Sequence, residues 1–290
     1  MRILFLLVVF TIITFAQDEY KKRLELAYDN ANKVLITGPN EVKILNQSIL
    51  SIPKNYGFIP KKESLELLRA MGNTPGDEVE GTIISLDQNT IGFIVVSYID
   101  SGYIKDDDAK DWDADELLEG LQEGTKAANS NRIKMGIPPI EVLGWIKSPT
   151  YNVSNHKLIW SAKLQDIGST NQNYGINYNT YVLGREGYIS MNLVTDFNHI
   201  QDGKTSAKYL LSKMNFVDGK TYSDFNADTD KVAEYGLAAL IAGAAAKKLG
   251  LFAVIAAFVV KFWKIALIGL AFFYKPILNL LKRKNKNKEE

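Results

Sequence analysis

Residues 156–165 read HKLIWSAKLQ, and the alternation in this stretch decides the fold class. Its apolar and polar positions alternate, with Leu158, Trp160, Ala162 and Leu164 set against Lys157, Ser161 and Lys163. A period of two is typical of a β-strand that has one buried face and one face in water. The stretch therefore predicts an antiparallel sheet.

Similar segments extend from it in both directions. Strands are predicted at 140–152, 176–183 and 187–195, and earlier at 79–86 and 90–99. The quartet GREG (184–187) and the triplet DQN (87–89) join neighbouring strands as turns. The alternating pattern of residues 41–60 is broken at Pro53 and Pro60, which predicts one more strand followed by an exit loop.

Helical periodicity is found at 18–33, 61–73, 116–136 and 206–216. Together with the strands, these helices predict one α+β domain, a mostly antiparallel sheet with a few packed helices. We expect this domain to span residues 17–230.

The composition excludes several classes of function. The chain has 290 residues, with 34 basic and 33 acidic side chains, so no overall charge favours nucleic acid as a partner. It has no cysteine, which excludes disulfides, thiolate catalysis and cysteine-ligated zinc.

The N-terminus has the pattern of a secretory signal. Arg2 precedes an uncharged run from Ile3 to Ala16, and Thr14 and Ala16 provide small residues before a cleavage point. Residues 1–16 are therefore predicted to be a cleaved signal peptide. An uncleaved N-terminal anchor is the alternative.

The C-terminal part is also apolar. Residues 231–281 predict a membrane-anchoring, transmembrane helical segment, although four lysines interrupt the run from Tyr235 to Tyr274. A hairpin or an interfacial helix remains open. Ala238, Ala242 and Ala246 have the spacing that permits close helix packing, so we expect a homo-oligomer through this helix. The basic tail, 282–290, is expected to stay in the cytoplasm, which leaves the main domain outside.

The stretch GYIKDDDAKDWDADELLEG (102–120) is the most acidic in the chain, with six aspartates and two glutamates. It does not fit a calcium loop, because Glu116 and Gln122 occupy the positions that require glycine and glutamate. Asp113 fits the N-cap of the following helix instead. Asp106, Asp107 and Asp108 are not explained by capping, and a solvated loop, a weak cation site and catalytic carboxylates remain open.

Three further residues join these aspartates as candidate binding residues. Trp145 and Tyr178 are among the aromatics of the β-rich half, which can form a groove, and Arg185 in the GREG turn can bind an anion. His156 and His199 are expected to be surface residues. The sequence has no motif for catalysis, metal or nucleotide binding, so no catalytic residue, metal ligand or cofactor is predicted.

Several segments together resemble a bacterial family named domain of unknown function 2167, described as predicted membrane-anchored proteins. They include SGYIKDDDA (101–109), GWIKSPTYN (144–152), NYNTYVLGREGYISMNLV (177–194) and AEYGLAALIAGAAAKKLGL (233–251). The resemblance implies an exported domain with a C-terminal anchor, and no catalytic residues. We therefore expect the protein in the bacterial inner membrane, with the main domain in the periplasm.

The first hypothesis for function is a non-enzymatic binding or scaffolding module of the envelope. Its expected partners are the lipid bilayer and an unidentified envelope protein or ligand. The alternative is a cation-dependent or carboxylate-based hydrolase-like enzyme that uses residues such as Asp107 and Asp108. A third idea is a pore made of lysine-striped helices.

Overall fold

The computed structural model describes residues 21–71, 73–87, 92–134, 136, 138–169 and 174–242. Two compact units divide the chain, residues 1–243 and 244–290, and every described residue belongs to the first. The predicted signal peptide, most of the predicted membrane-anchoring segment and the basic tail lie outside the described residues. Among the described residues, no helix is long and apolar enough to cross a membrane.

An eight-stranded antiparallel sheet forms the centre of the described unit, in the order β1-β4-β5-β6-β10-β9-β8-β7. Its strands are β1 (Ile36–Thr37), β4 (Tyr56–Pro60), β5 (Val79–Ser85), β6 (Phe93–Ile99), β7 (Ile140–Asn152), β8 (Lys157–Asp166), β9 (Gly175–Leu183) and β10 (Tyr188–Asp196). The predicted fold class, α+β with a large antiparallel sheet and a few helices, is confirmed for this unit. Within it, β7 pairs with β8 and β9 with β10 as hairpins, because short turns join them.

A second sheet has three strands in the order β11-β3-β2. These are β2 (Asn40–Ile44), β3 (Ser48–Ile52) and β11 (Met214–Phe216). Residues 41–60, predicted to form one strand and a loop, therefore contribute to three strands. The chain reverses after β2 because Leu45 adopts a left-handed conformation (φ 53°) and Gln47 N–H donates to Ile44 O.

Among the described residues, five α-helices accompany the sheets. They are α1 (described residues 21–33), α2 (Lys61–Ala70), α3 (Ala114–Lys134), α4 (Ile200–Leu211) and α5 (Ala238–Ala242). The helix predicted at 206–216 begins and ends earlier than expected. Its last three residues form β11 instead, where Met214 is buried in the core and the backbone pairs with β3.

The large sheet is covered on both faces. On one face, α1 and α2 pack over β4 and β5, around Ile59, Leu67 and Ala70, and α3 packs against β7. We call this the helix face. On the other face, the three-stranded sheet and α4 form the main core with β6, β9 and β10.

Coverage of both faces corrects one expectation for β8. Ser161 was predicted to lie on a wet face, but it is fully buried (0% exposed). It pairs in register with Tyr178, which belongs to the main core. The alternation correctly separates the two faces, but it does not show that the second sheet covers one of them.

Candidate functional site

Several loops meet at one end of the large sheet. β6 ends where β10 begins (Ile99 opposite Tyr188), and the β7–β8 turn lies beside the end of β9, since Lys157 pairs with Val182. The GREG turn joins β9 to β10 at the same end. The acidic stretch follows β6, so it also begins here. We call this region the loop end.

Three side chains at the loop end form a hydrogen-bonded relay. The Tyr151 hydroxyl donates to Asp106 Oδ2 at 2.8 Å and lies 3.0 Å from His156 Nδ1. The hydroxyl has one proton, so Nδ1 must carry the hydrogen of the second bond. Burial, and then the bond to Asp106, raise the pKa of Tyr151, which keeps the hydroxyl protonated.

An aromatic column supports the relay. His156 stacks on Tyr222 with 4.0 Å between ring centroids, Tyr222 stacks on Tyr103 at 4.4 Å, and Tyr103 stacks on Phe225 at 3.8 Å. The His156 backbone is left-handed (φ 51°), a conformation that non-glycine residues rarely adopt. Its side chain is 28% exposed, so His156 is held in the column instead of lying freely on the surface as predicted.

The three neighbouring aspartates have different environments. Asp106 belongs to the relay, and Asp107 is exposed at the start of a short 3-10 helix, Asp107–Lys110. Asp108 accepts the backbone N–H groups of Leu237 (3.1 Å) and Ala238 (3.0 Å), so its carboxylate caps α5. In the described part of the chain, no three acidic or histidine side chains are grouped to hold a metal ion.

The second half of the acidic stretch begins a helix, as predicted. Asp113 Oδ1 accepts the N–H groups of Asp115 (2.7 Å) and Glu116 (3.2 Å), directly before α3. The N-cap prediction for Asp113 is confirmed.

Arg185 is engaged in an ion pair. Its Nε and one terminal nitrogen donate to the two carboxylate oxygens of Asp230 at 2.7 and 2.9 Å. The guanidinium holds the pKa of Asp230 well below its usual range. The adjacent Glu186 accepts hydrogen bonds from Lys220 (2.6 Å) and Gln47 (2.8 Å), and these bonds lower its pKa. The GREG turn thus connects three separate parts of the chain.

Residues 230–238, which we call the strap, lie along the beginning of the acidic stretch. Tyr103 N–H donates to Lys231 O and Ala233 N–H donates to Tyr103 O, both at 2.8 Å. Gly102 permits this approach: its φ is +85°, and a Cβ would lie 2.6 Å from Lys231 O. The strap is therefore attached at Asp230, at residues 231–233 and at residues 237–238.

The two aromatic candidates lie away from the relay, in separate environments. Tyr178 is 1% exposed in the main core, and burial raises its pKa. Trp145 lies on the helix face, where its indole N–H donates to Ala114 O at 3.0 Å and its ring meets Trp160 edge to face. The structure therefore does not bring the six predicted binding residues together.

A polar surface that the sequence did not predict lies on the helix face, between α2 and α3. Its residues come from the central strands β9 and β10: Asn177, Asn179, Tyr181, Tyr188, Ser190 and Asn192. All are half-buried except Asn179, which is buried. We call it the polar sheet face. The sequence pattern that indicates the polar sheet face is a polar residue at every second position of 177–181 and of 188–192.

Two buried atoms on this surface lack hydrogen-bond partners. These are the indole Nε1 of Trp160, on neighbouring β8, and Oδ1 of Asn192. Trp160 pairs in register with Asn179, and Asn179 with Asn192, so the three side chains form one row. Buried polar groups are almost always paired, so an unpaired donor and acceptor in one row require an explanation.

Comparison with solved structures gives a distant likeness. The solution structure of cyanobacterial PsbP (CyanoP) from Synechocystis sp. PCC 6803 matches with a TM-score of 0.38 and 11% identity. The match covers 63% of this chain and 93% of that one. Comparison with curated proteins finds no match.

Comparison with family models gives a match over most of the chain. The model described as "Protein of unknown function (DUF2167)" matches residues 36–271, which include the whole large sheet, the relay, the strap and the polar sheet face. The chain belongs to this family, as the sequence resemblance indicated.

Proposed function

We propose that the protein is a binding or scaffolding module of the bacterial envelope, attached to the inner membrane through its C-terminal segment. In this proposal the described domain lies outside the cytoplasm. Its partners are the lipid bilayer, an unidentified envelope protein or ligand, and further copies of the chain through the small-residue segment. The proposal includes no enzymatic activity, cofactor or nucleic acid.

The strap is the observation that carries this proposal. Residues 231–238 begin the predicted membrane-anchoring segment, and backbone bonds and the Asp108 carboxylate fasten them to the loop end. These bonds hold the start of the predicted anchoring segment at one defined end of the domain. A fixed attachment point suits a module that presents a surface to a partner.

The topology is tested by fusing alkaline phosphatase, which is active only outside the cytoplasm, after residue 230 or residue 290. We expect activity after residue 230 and none after residue 290. A cytoplasmic reporter that works after residue 230 while the phosphatase does not would overturn the proposed location.

Binding is tested by photo-crosslinking in intact cells. A photoreactive amino acid replaces Tyr188 on the polar sheet face, and the control replaces Tyr209, an exposed residue of α4 on the other side of the sheet. We expect an envelope component to be captured from position 188 at a yield well above the control. Equal yields at both positions would contradict a binding surface here.

The relay favours the hydrolase-like alternative as a second candidate. His156 has an acid–base side chain linked through Tyr151 to the Asp106 carboxylate, an arrangement that orients and polarises an imidazole. The test is hydrolysis of ester, phosphoester and glycoside substrates by the purified full chain. Activity that His156→Gln abolishes, with an unchanged melting temperature, would establish the enzyme. Tight calcium or magnesium binding that is lost on replacing Asp106, Asp107 and Asp108 by asparagine would establish the cation-dependent form.

A further inference from the structure

We propose that the polar sheet face binds a neutral saccharide that carries an acetamido group, through Trp160 Nε1 and Asn192 Oδ1. This inference rests on the proposed function as a binding module, and it assigns the module a ligand class and a site. It is carried by the two unpaired atoms and by the chemistry of the surface around them.

The site has a defined shape. Trp160, Asn179 and Asn192 lie in one row across β8, β9 and β10. Adjacent strands are about 4.8 Å apart, so the row is about 10 Å long, on the scale of one or two sugar rings. Helices α2 and α3 flank this region of the sheet on the same face, because α2 packs on β5 and α3 on β7. The sheet is thus the floor of the site, and the two helices border it on two sides.

The unpaired atoms specify the hydrogen bonds that a ligand must supply. Trp160 Nε1 is a donor and needs an acceptor, while Asn192 Oδ1 is an acceptor and needs a donor. A secondary amide offers both groups and carries no charge. The neighbouring side chains on the floor are those of asparagine, serine and tyrosine, so nothing there favours a charged ligand.

The position of the site favours a saccharide amide over a peptide. An extended peptide usually binds a sheet by pairing with the free backbone of an edge strand. β8, β9 and β10 each have a hydrogen-bonded strand on both sides, so their backbones are not available. The surface instead offers side chains, including two edge-to-face aromatic pairs, Trp145–Trp160 and Tyr181–Tyr188. Aromatic rings present flat apolar faces with polar tips, which suit the faces and hydroxyls of a sugar ring.

Binding requires a local side-chain rearrangement. Both unpaired atoms are shielded from water in this structure, although Asn192 itself is only half-buried. Rotation about its last side-chain bond turns Oδ1 toward a ligand, because that torsion is broad. Trp160 Nε1 must also become accessible for the ligand to bind, so its indole proton directly reports entry of a ligand.

The experiment is an NMR titration of the full chain in detergent, labelled with ¹⁵N at its four tryptophans. The probe is triacetylchitotriose, and the matched control sugar is cellotriose, which has hydroxyls in place of the acetamido groups. We expect the Trp160 indole signal to shift on saturable binding of the acetylated sugar, with no saturable shift for cellotriose.

Two substitutions test whether Trp160 Nε1 and Asn192 Oδ1 bind the sugar. Trp160→Phe keeps an aromatic ring but removes the N–H, and we expect its affinity, measured by calorimetry, to fall at least tenfold. Asn192→Leu removes the acceptor and is expected to have a similar effect. Trp112→Phe, on the acidic stretch, is the matched control and should bind as the wild type does. The remaining indole signals report whether each variant is folded.

The possible failures are distinguishable. Absence of a Trp160 shift at millimolar sugar, equal binding of cellotriose, or full affinity in folded Trp160→Phe and Asn192→Leu would each overturn the saccharide assignment. If photo-crosslinking from position 188 still captures a partner, the binding module stands and only its ligand class is wrong. If that capture also fails, the proposed function fails with it.

Discussion

Asp106, Asp107 and Asp108 are adjacent and identical in chemistry, yet each lies in a different environment. Asp106 accepts from Tyr151, Asp107 is exposed, and Asp108 caps α5 from more than a hundred residues away in the sequence. A carboxylate at a helix start is stabilised by the unpaired N–H groups and by the positive end of the helix dipole. At this position a carboxylate therefore has a structural role that its sequence neighbours do not share.

At the residue scale, Asp108→Asn should loosen the strap. The amide keeps the size of the side chain but loses the charge and one of the two acceptor oxygens, and loss of a cap costs about 1 kcal/mol. Amide hydrogen exchange at Leu237 and Ala238 should accelerate by roughly five- to tenfold, measured by mass spectrometry.

The control for this prediction is Asp107→Asn, because Asp107 is exposed and adjacent. It should leave exchange in the strap unchanged. Equal protection of residues 237 and 238 in wild type and Asp108→Asn would show that the carboxylate does not hold the strap.

At the scale of elements, α3 protects a sheet edge. β7 is the last strand of the large sheet, and no strand of the described residues pairs with the outer side of its backbone. The Asn129 side chain accepts from Ile140 N–H (2.9 Å) and donates to Ile140 O (2.8 Å), and Gln122 donates to Val142 O (3.0 Å). Unpaired edges promote aggregation, and a helix that bonds to the edge prevents strand addition there.

Asn129→Ala should therefore destabilise and expose this edge. Asn129 is buried and the substitution removes two hydrogen bonds, so we expect a loss of about 1–3 kcal/mol in the free energy of unfolding, measured in urea. Light scattering should also show faster aggregation on heating. The control Ser130→Ala, at an exposed position of the same helix, should change the free energy by less than about 0.5 kcal/mol. An equal effect of both substitutions would contradict this role for Asn129.

At the scale of the whole molecule, the GREG turn joins the large sheet to the three-stranded sheet and to the strap. Glu186 contacts Gln47 between β2 and β3, and Arg185 contacts Asp230 at the start of the strap. Both contacts depend on ionised carboxylates. Since folding lowers the pKa of Glu186 and of Asp230, the unfolded chain binds more protons than the folded chain in acid.

The sign of the pH dependence follows from these lowered pKa values. The stabilisation by the two carboxylates is fully present above the unfolded pKa, at about pH 4–4.5, and is lost as the pH falls through the folded values. The melting temperature should therefore decrease between about pH 5 and pH 3, measured by calorimetry. Arg185→Gln removes the main partner of Asp230 and should make this decrease shallower. An unchanged slope in the variant would show that the pair does not contribute.

The sequence by itself determined the parts of the protein that depend on local chemistry. Strand-like patterns specified six strands of the large sheet, β5 to β10, but neither β1 nor β4, and turn residues specified the β5–β6 and β9–β10 hairpins. Asp113 followed by a helical pattern specified the start of α3. Each of these features requires only neighbouring residues, because side-chain direction, turn geometry and capping act over a few positions.

Only the tertiary structure decided which distant groups meet. It brings Tyr151 and His156 to Asp106, the strap to Asp108, and Trp160 into one row with Asn192, and it buries Ser161 under a second sheet. Strand order, register and the coverage of each face determine these contacts, and they depend on packing between segments far apart in the chain. The acidic stretch can be recognised in the sequence because its charged residues are neighbours in the chain. The row of Trp160, Asn179 and Asn192 cannot be recognised there, because it forms only where three strands pair.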